Sequence, residues 1–229
     1  MSSHHGVRFR PTALATAFAL IVLAGGWCVA APASAASTPE PRRLSQELPL
    51  GDAHWVTLDF PVGELRLEAT EERVVRVELQ IACDSEPAEC DKLANKMKID
   101  SRRRGEKLAV EIRGPRGTSS KGVKLKGVIS APRDFPLSVD MGVGDLEVRG
   151  FRHDLYVDLG VGNVLVRLPE ASVRSVSLKS GVGDTSLALP SGRIDGTGFV
   201  GKGLRWTSGK GSSLVEIECG VGNVEVTLD

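Results

Sequence analysis

Apolar and polar residues alternate with a period of two along most of the chain after residue 53. The segments WVTLDF (Trp55–Phe60), RVVRVELQIA (Arg73–Ala82) and KLAVEIRG (Lys107–Gly114) show this alternation, which is typical of half-buried β-strands. One segment, SEPAECDKLANKMK (Ser85–Lys98), instead has a serine N-cap, early acidic residues and late lysines, which predicts a helix. The pattern therefore predicts an all-β chain with one short helix in its N-terminal half.

One nine-residue phrase occurs four times in the second half of the chain. The copies are DMGVGDLEV (Asp140–Val148), DLGVGNVLV (Asp158–Val166), KSGVGDTSL (Lys179–Leu187) and ECGVGNVEV (Glu218–Val226). Apolar residues step by two up to the valine between the glycines, so this valine is predicted to point inward with the residues before it. The next apolar residue comes three positions later, which changes the parity of the strand.

This change of parity predicts a corner, with a strand on each side of it. Glycine allows backbone angles that are closed to other residues, and Asp and Asn tolerate the left-handed region. The predicted corner residues are Gly142, Gly144, Asp145, Gly160, Gly162, Asn163, Gly181, Gly183, Asp184, Gly220, Gly222 and Asn223.

The spacing of the copies predicts a β-solenoid with coils of about 20 residues. The first glycines lie at 142, 160, 181 and 220. VGKGLRW (Val200–Trp206) fills the longest gap as a worn copy, and FPVGELRLEA (Phe60–Ala69) is a further degenerate coil. Coils stacked in chain order would leave the C-terminal coil with an open edge, which predicts a homo-oligomer or a docked partner strand. Alternatively, the N-terminal strands or the linker fold back over this edge.

The N-terminus has the pattern of a signal peptide over residues 1–35. Arg8 and Arg10 precede an uncharged stretch, Thr12–Ala31, and Ala33-Ser34-Ala35 forms a small-residue cleavage site. The alternative is an uncleaved membrane anchor. The polar, proline-containing residues 36–52 are predicted to form a linker, and residues 53–229 a single domain.

Export would make a disulfide credible. Cys83 closes a predicted strand and Cys90 lies in the predicted helix, so we expect these two residues to pair and to pin the helix to the sheet. The alternative is two free thiols. Cys219 occupies an apolar column and is predicted to be a small buried core residue.

Composition excludes several classes of function. Formal net charge is zero, and 25% of residues are charged, so nothing indicates a nucleic-acid partner. The basic run SRRRGEK (Ser101–Lys107) is predicted to be a polar turn, with contact to an anionic surface as the alternative. Only 4% of residues are aromatic, which predicts a core built from small branched side chains.

No catalytic, cofactor-binding or metal-binding residues are predicted. His54 and His153 each lack a partnered motif. GLRWTSGKGSS (Gly203–Ser213) has neither the spacing nor the final Ser/Thr of a phosphate loop. The Gly-Asp corners differ from calcium-binding repeats in period and in the position of Asp, and half of them carry Asn instead. The chain is therefore predicted to be no enzyme.

The region Trp55–Asp229 resembles the bacterial "putative adhesin" domain family, whose function is unknown. The repeated GVGD and GVGN corners, the segment GVISAPRDFPLSVDMGVGDLEVRG (Gly127–Gly150) and the exported N-terminus carry this resemblance. It implies an exported β-solenoid in the periplasm or at the cell surface. The function that we expect is adhesin-like binding of a protein or surface polymer through solenoid faces. The alternative is a periplasmic scaffold or an envelope-stress accessory or sensor domain.

Overall fold

The computed structural model describes residues 41–83, 87–114, 123–207 and 210–229, without the side chains of residues 83, 87–90 and 123. The predicted signal peptide lies outside these residues. The strands are β1 Arg42–Pro49, β2 Trp55–Thr70, β3 Val74–Cys83, β4 Lys98–Arg104, β5 Lys107–Arg113, β6 Val123–Pro132, β7 Leu137–Arg149, β8 Leu155–Leu168, β9 Val173–Val182, β10 Thr185–Leu189, β11 Gly192–Asp195, β12 Lys202–Thr207, β13 Ser213–Val221 and β14 Val224–Leu228. The helix α1 spans Pro87–Ala94, and a 3-10 turn spans Glu170–Ser172.

All fourteen of these strands belong to one sheet, which does not close. The main path runs β1-β3-β6-β2-β7-β8-β13-β9-β12, and β4, β5, β10, β11 and β14 pair beside it. The prediction of an all-β chain with one short helix is therefore confirmed. A regular solenoid is not what the structure shows.

The repeated phrases do lie side by side. Strands β2, β7, β8, β13 and β9 pair in parallel, and each copy pairs in register with the same positions of its neighbours. The degenerate copy in β2 belongs to this stack, because Gly63 pairs with Gly144. Beyond the phrase, the parallel pairing continues from β8 to β14 and from β14 to β10.

The order of the copies differs from the predicted stack. Strand β13 lies between β8 and β9, and β14 lies between β8 and β10. The C-terminal strands are therefore interior to the sheet, and the prediction of an open C-terminal edge was wrong. The segment Val200–Trp206, predicted to be a degenerate coil, is not one, because its strand β12 runs antiparallel to β9.

The N-terminal half also differs in two places from the prediction. Residues 36–52 are predicted to be a linker, yet Arg42–Pro49 forms β1, which pairs antiparallel with β3. The basic run is exposed and contains the turn at residues 105–106, as predicted, but residues 101–104 belong to β4, which pairs with β5. Leu48 is the only buried residue of β1, and β4 has no buried residue. These strands therefore lack the alternation of apolar and polar residues by which a strand is predicted from sequence.

One hydrophobic core runs under the whole stack. Because equivalent residues pair in register, their side chains form continuous buried columns across neighbouring strands. One such column contains Leu58, Val139, Val157, Ile217 and Leu178. Among the described residues, no helix has the length and apolarity needed to span a bilayer.

Candidate functional site

Two glycines in each phrase let neighbouring strands approach closely. A Cβ on Gly160 would lie 2.5 Å from the carbonyl oxygen of Gly142, and a Cβ on Gly162 would lie 1.7 Å from that of Gly144. Gly162 also has φ +142°, a conformation that L side chains rarely adopt. The equivalent second glycines are Gly63, Gly144, Gly183 and Gly222, with φ between +136° and +141°.

The valine before the second glycine is exposed in every copy, including the degenerate copy in β2, where Pro61 replaces the first glycine. Exposed fractions are 46% for Val143, Val161 and Val221, 52% for Val62 and 54% for Val182. The prediction that the valines of the four phrases point inward was wrong: Val143, Val161, Val182 and Val221. In β7 the buried column ends at Met141 and resumes at Leu146, so the four residues between them stay at the surface. The flanking glycines have no side chains with which to cover the valine.

The register of the strands places these five valines next to one another. They follow the order of the strands in the sheet: Val62, Val143, Val161, Val221 and Val182. We call this set the valine ridge. At about 4.8 Å per strand it is about 19 Å long. Single exposed apolar residues are normal on the surface of a monomer, whereas a contiguous row of them is a candidate interaction site.

Exposed apolar residues continue beyond the ridge at β9. Gly201 packs against β9, where a Cβ on it would lie 3.2 Å from the carbonyl oxygen of Gly181. The two residues before it, Phe199 and Val200, are fully exposed and 67% exposed, respectively. They extend the apolar character of the surface past the last repeated phrase.

A row of carboxylates follows one side of the valine ridge, three residues earlier in each strand. The carboxylate row consists of Asp59, Asp140, Asp158 and Glu218, again on neighbouring strands and in register. Lys179 forms an ion pair with Glu218. No cation of the described part of the chain lies within ion-pair distance of Asp59, Asp140 or Asp158. Partial burial raises the pKa of Asp59, and the neighbouring charges of Asp140 and Glu111 raise it further, against a smaller lowering by the charge of Arg113.

A second polar row follows the other side of the ridge, two residues later in each strand. This Asx row consists of Asp145, Asn163, Asn223 and Asp184. Asn163 donates from Nδ2 to Oδ1 of Asp145 at 2.9 Å, and its own Oδ1 accepts from the backbone N–H of Asn223 at 3.3 Å. Oδ1 of Asn223 accepts from the backbone N–H of Asp184 at 3.0 Å. Lys202 forms an ion pair with Asp184.

An open groove of about 750 Å³ begins at the Asx row and extends away from the ridge. Two of its basic side chains are neutralised, since Lys126 pairs with Glu64 at 2.8 Å and Arg66 with Glu147 at 2.8 Å. Carboxylates outnumber bases among its lining residues: Glu64, Glu78, Asp145, Glu147 and Glu225. Three of these carboxylates are also neutralised, since Glu64, Glu147 and Glu225 each have a basic partner. The acidic side of the valine ridge is therefore the side of the carboxylate row.

The two histidines considered for catalysis have different contacts. His54 is exposed and stacks on Phe135, with ring centroids 6.4 Å apart. Nδ1 of His153 accepts a hydrogen bond from the backbone N–H of Asp154 at 2.8 Å. Among the described residues no group of three or more His, Cys, Asp or Glu side chains could hold a metal ion. Part of the segment considered as a phosphate loop, residues 208–209, lies outside the described residues.

The three cysteines of the domain fall into two cases. Cys219 is a buried free thiol, and burial raises its pKa. Cys83 ends β3 and Cys90 lies in α1, but their side chains are outside the described part of the chain. The disulfide between them stays a prediction.

Sequence reasoning missed one aromatic cluster. Trp55 and Tyr156 stack with ring centroids 5.7 Å apart, and the ammonium of Lys107 lies 4.7 Å from the Trp55 ring centroid. Strand β7 separates the two aromatic residues in the sheet. Only the pairing of strands distant in sequence brings them together.

No protein-family model matches the chain, and no curated protein matches it. Among solved structures, a putative cell adhesion protein from Clostridium sporogenes ATCC 15579 is similar at 19% identity and a TM-score of 0.53, covering 83% of this chain and 100% of that one. At this identity the similarity shows the fold alone.

Two further solved structures are more distant. A putative adhesin from Parabacteroides merdae ATCC 43184 has 13% identity and a TM-score of 0.30, covering 81% of each chain. A putative adhesin from Bacteroides fragilis NCTC 9343 has 11% identity and a TM-score of 0.28, covering 81% of this chain and 97% of that one. Both similarities are too low to support an argument.

Proposed function

We propose that the chain is an exported, non-enzymatic protein of the cell envelope that binds another protein or a surface polymer, in the manner of an adhesin. The valine ridge is the observation that carries this proposal. Five half-exposed valines in register lower the solubility of the protein and contribute little to its core. Their repetition is therefore better explained by a surface that binds a partner. The parallel stack of repeats, a solenoid-like arrangement, supplies the rigid support that such a surface needs.

Two further features support this proposal. The pattern of residues 1–35 is that of a signal peptide, which directs a chain out of the cytoplasm. The fold is shared with a protein that is named a putative cell adhesion protein. Fold similarity alone is a weak guide to function, so the exposed surface is the stronger argument.

The proposal is tested by locating the protein and its binding activity in a strain that carries the full chain with a C-terminal epitope tag. We expect cleavage after Ala35 by mass spectrometry, and tagged protein that external protease removes from intact cells. Purified protein should bind to cell envelopes and lose this binding when its fold is melted. Uncleaved protein in the cytoplasm would overturn the proposal. Cleaved protein that is protected from protease until the outer layer is opened would favour the periplasmic scaffold or accessory role instead.

A further inference from the structure

We infer that the valine ridge binds a basic amphipathic helix of a partner protein. This inference rests on the proposed function and names the class of partner. The ridge supplies an apolar line about 19 Å long, at about 4.8 Å per strand, and the carboxylate row beside it supplies negative charge. A helix of about 13 residues has the same length and presents apolar side chains every 5.4 Å or so.

The charges beside the ridge favour a partner with positive charge. On the carboxylate row, Asp59, Asp140 and Asp158 have no ion-pair partner in the described part of the chain. The bases closest to the ridge are already neutralised, since Lys179 pairs with Glu218 and Lys202 with Asp184. Like charges directly opposite each other in a sheet are destabilising. Lysine or arginine side chains from a partner would relieve this repulsion.

The distance from the ridge to the carboxylate row also agrees with a helix. The carboxylate row lies three residues from the ridge along each strand, which is about 10 Å. The Asx row lies two residues away on the other side, or about 7 Å. The two rows are thus about 17 Å apart along the strands, which is wider than the 10–12 Å of a helix with its side chains. A helix on the ridge would reach the carboxylate row with the basic residues on one side of its apolar stripe.

The same charges disfavour two other occupants of the ridge. A second copy of this chain, placed ridge to ridge with the two carboxylate rows facing each other, would bring like charges together. An anionic membrane surface would also meet charge of its own sign. Electrostatic complementarity of this kind suppresses wrong partners more than it adds affinity.

The test uses the full chain in its exported form and a synthetic peptide of about 18 residues, with leucines on one helical face and lysines on the rest. A matched peptide carries glutamate in place of every lysine. We expect the lysine peptide to bind, the glutamate peptide not to bind, and binding to weaken between about 50 and 200 mM salt because exposed charges are screened. Titration calorimetry or fluorescence anisotropy measures all three.

Variants of the protein then locate the binding site. The pair Val143→Thr and Val161→Thr removes apolar surface from the centre of the ridge and should weaken binding by about tenfold. The pair Asp140→Asn and Asp158→Asn should weaken binding and reduce its salt dependence. The matched controls are Ile194→Thr, an exposed aliphatic residue on β11, and Glu68→Gln, an exposed carboxylate on β2. Both controls should bind as the parent does.

Three results would overturn the inference: equal binding of both peptides, binding that the ridge variants leave unchanged, and binding to anionic vesicles in preference to the lysine peptide. Loss of a parent dimer in the valine variants, seen by light scattering, would assign the ridge to self-association and would also overturn it. These results are independent of cell fractionation. If the ridge variants bind to cell envelopes as strongly as the parent does, the proposed function stands and this inference is wrong.

Discussion

At the scale of the residue, the two glycines of each phrase serve different purposes. The first one, as at Gly160, has no unusual backbone angle, and only the approach of the neighbouring strand excludes a side chain. The second one, as at Gly162, combines a positive φ with a closer approach to the next backbone. Substitution at the second position therefore meets two independent costs, and these can be separated by experiment.

Gly162→Ala should destabilise the protein far more than Gly192→Ala. Gly192 has φ +145°, nearly the same as Gly162, but nothing lies within 4 Å of a Cβ placed on it. Gly192→Ala should therefore cost only the backbone strain, about 1–3 kcal/mol. Gly162→Ala must also push two strands apart, and we expect at least about 2 kcal/mol more, or no folded protein. Urea denaturation measures both, and equal midpoints would show that the strands are not in close contact at Gly162.

At the scale of the element, in-register repetition has opposite effects on different columns. Equivalent apolar residues stack into a continuous core, which stabilises the sheet. Equivalent carboxylates also stack, and Asp59, Asp140 and Asp158 lie directly opposite one another on β2, β7 and β8. A repeat cannot copy the favourable column without copying the unfavourable one beside it. The carboxylate row therefore has a cost in stability that a purely structural role does not explain.

Asp59→Asn should stabilise the fold at neutral pH by about 0.5 kcal/mol. The pKa of Asp59 is raised in the folded protein, first by burial and then by Asp140 and Glu111. The folded state therefore holds this proton more tightly than the unfolded state, and the contribution of Asp59 to stability falls as the pH rises above its ordinary pKa of 3.8. The difference between variant and parent should vanish below that pH. Thermal melts from pH 3 to 7 test this, with Glu68→Gln as the control, and a difference that grows on acidification would contradict it.

At the scale of the whole molecule, the sequence predicted the kind of fold better than its arrangement. The repeated phrases predicted strands, the change of parity and the parallel pairing of like positions, because these follow from local patterns of side chains. The position of β13 could not be predicted from its side chains. The apolar residues Val215, Ile217 and Cys219 would continue the buried columns equally well after β9, in chain order, or between β8 and β9, where the strand lies. Alternation also misplaced Val143 and its equivalents, since it could not show that the buried column skips from Met141 to Leu146.

Glu225→Pro should destabilise the protein strongly, because β14 has a neighbour on each side. Proline removes a ladder hydrogen bond and leaves a carbonyl of β8 or β10 without its donor, which we expect to cost at least about 2 kcal/mol. Glu225→Ala is the matched control. The side chain is exposed and lies 3.8 Å from Arg193, so its loss should change the free energy of unfolding by less than about 0.5 kcal/mol. Similar melting temperatures for the two variants would argue that β14 is at an edge.

The central position of β13 has a consequence for the time at which the protein can fold. A ribosome makes β8 and β9 well before β13, yet these two strands reach their final places only when the last strands lie between them. Completion of the sheet therefore cannot proceed coil by coil behind the emerging chain. Until β13 has been synthesised, β8 and β9 lack the neighbour that both of them pair with. The chain has to stay open, or be held open by a chaperone, until residues 213–229 are available.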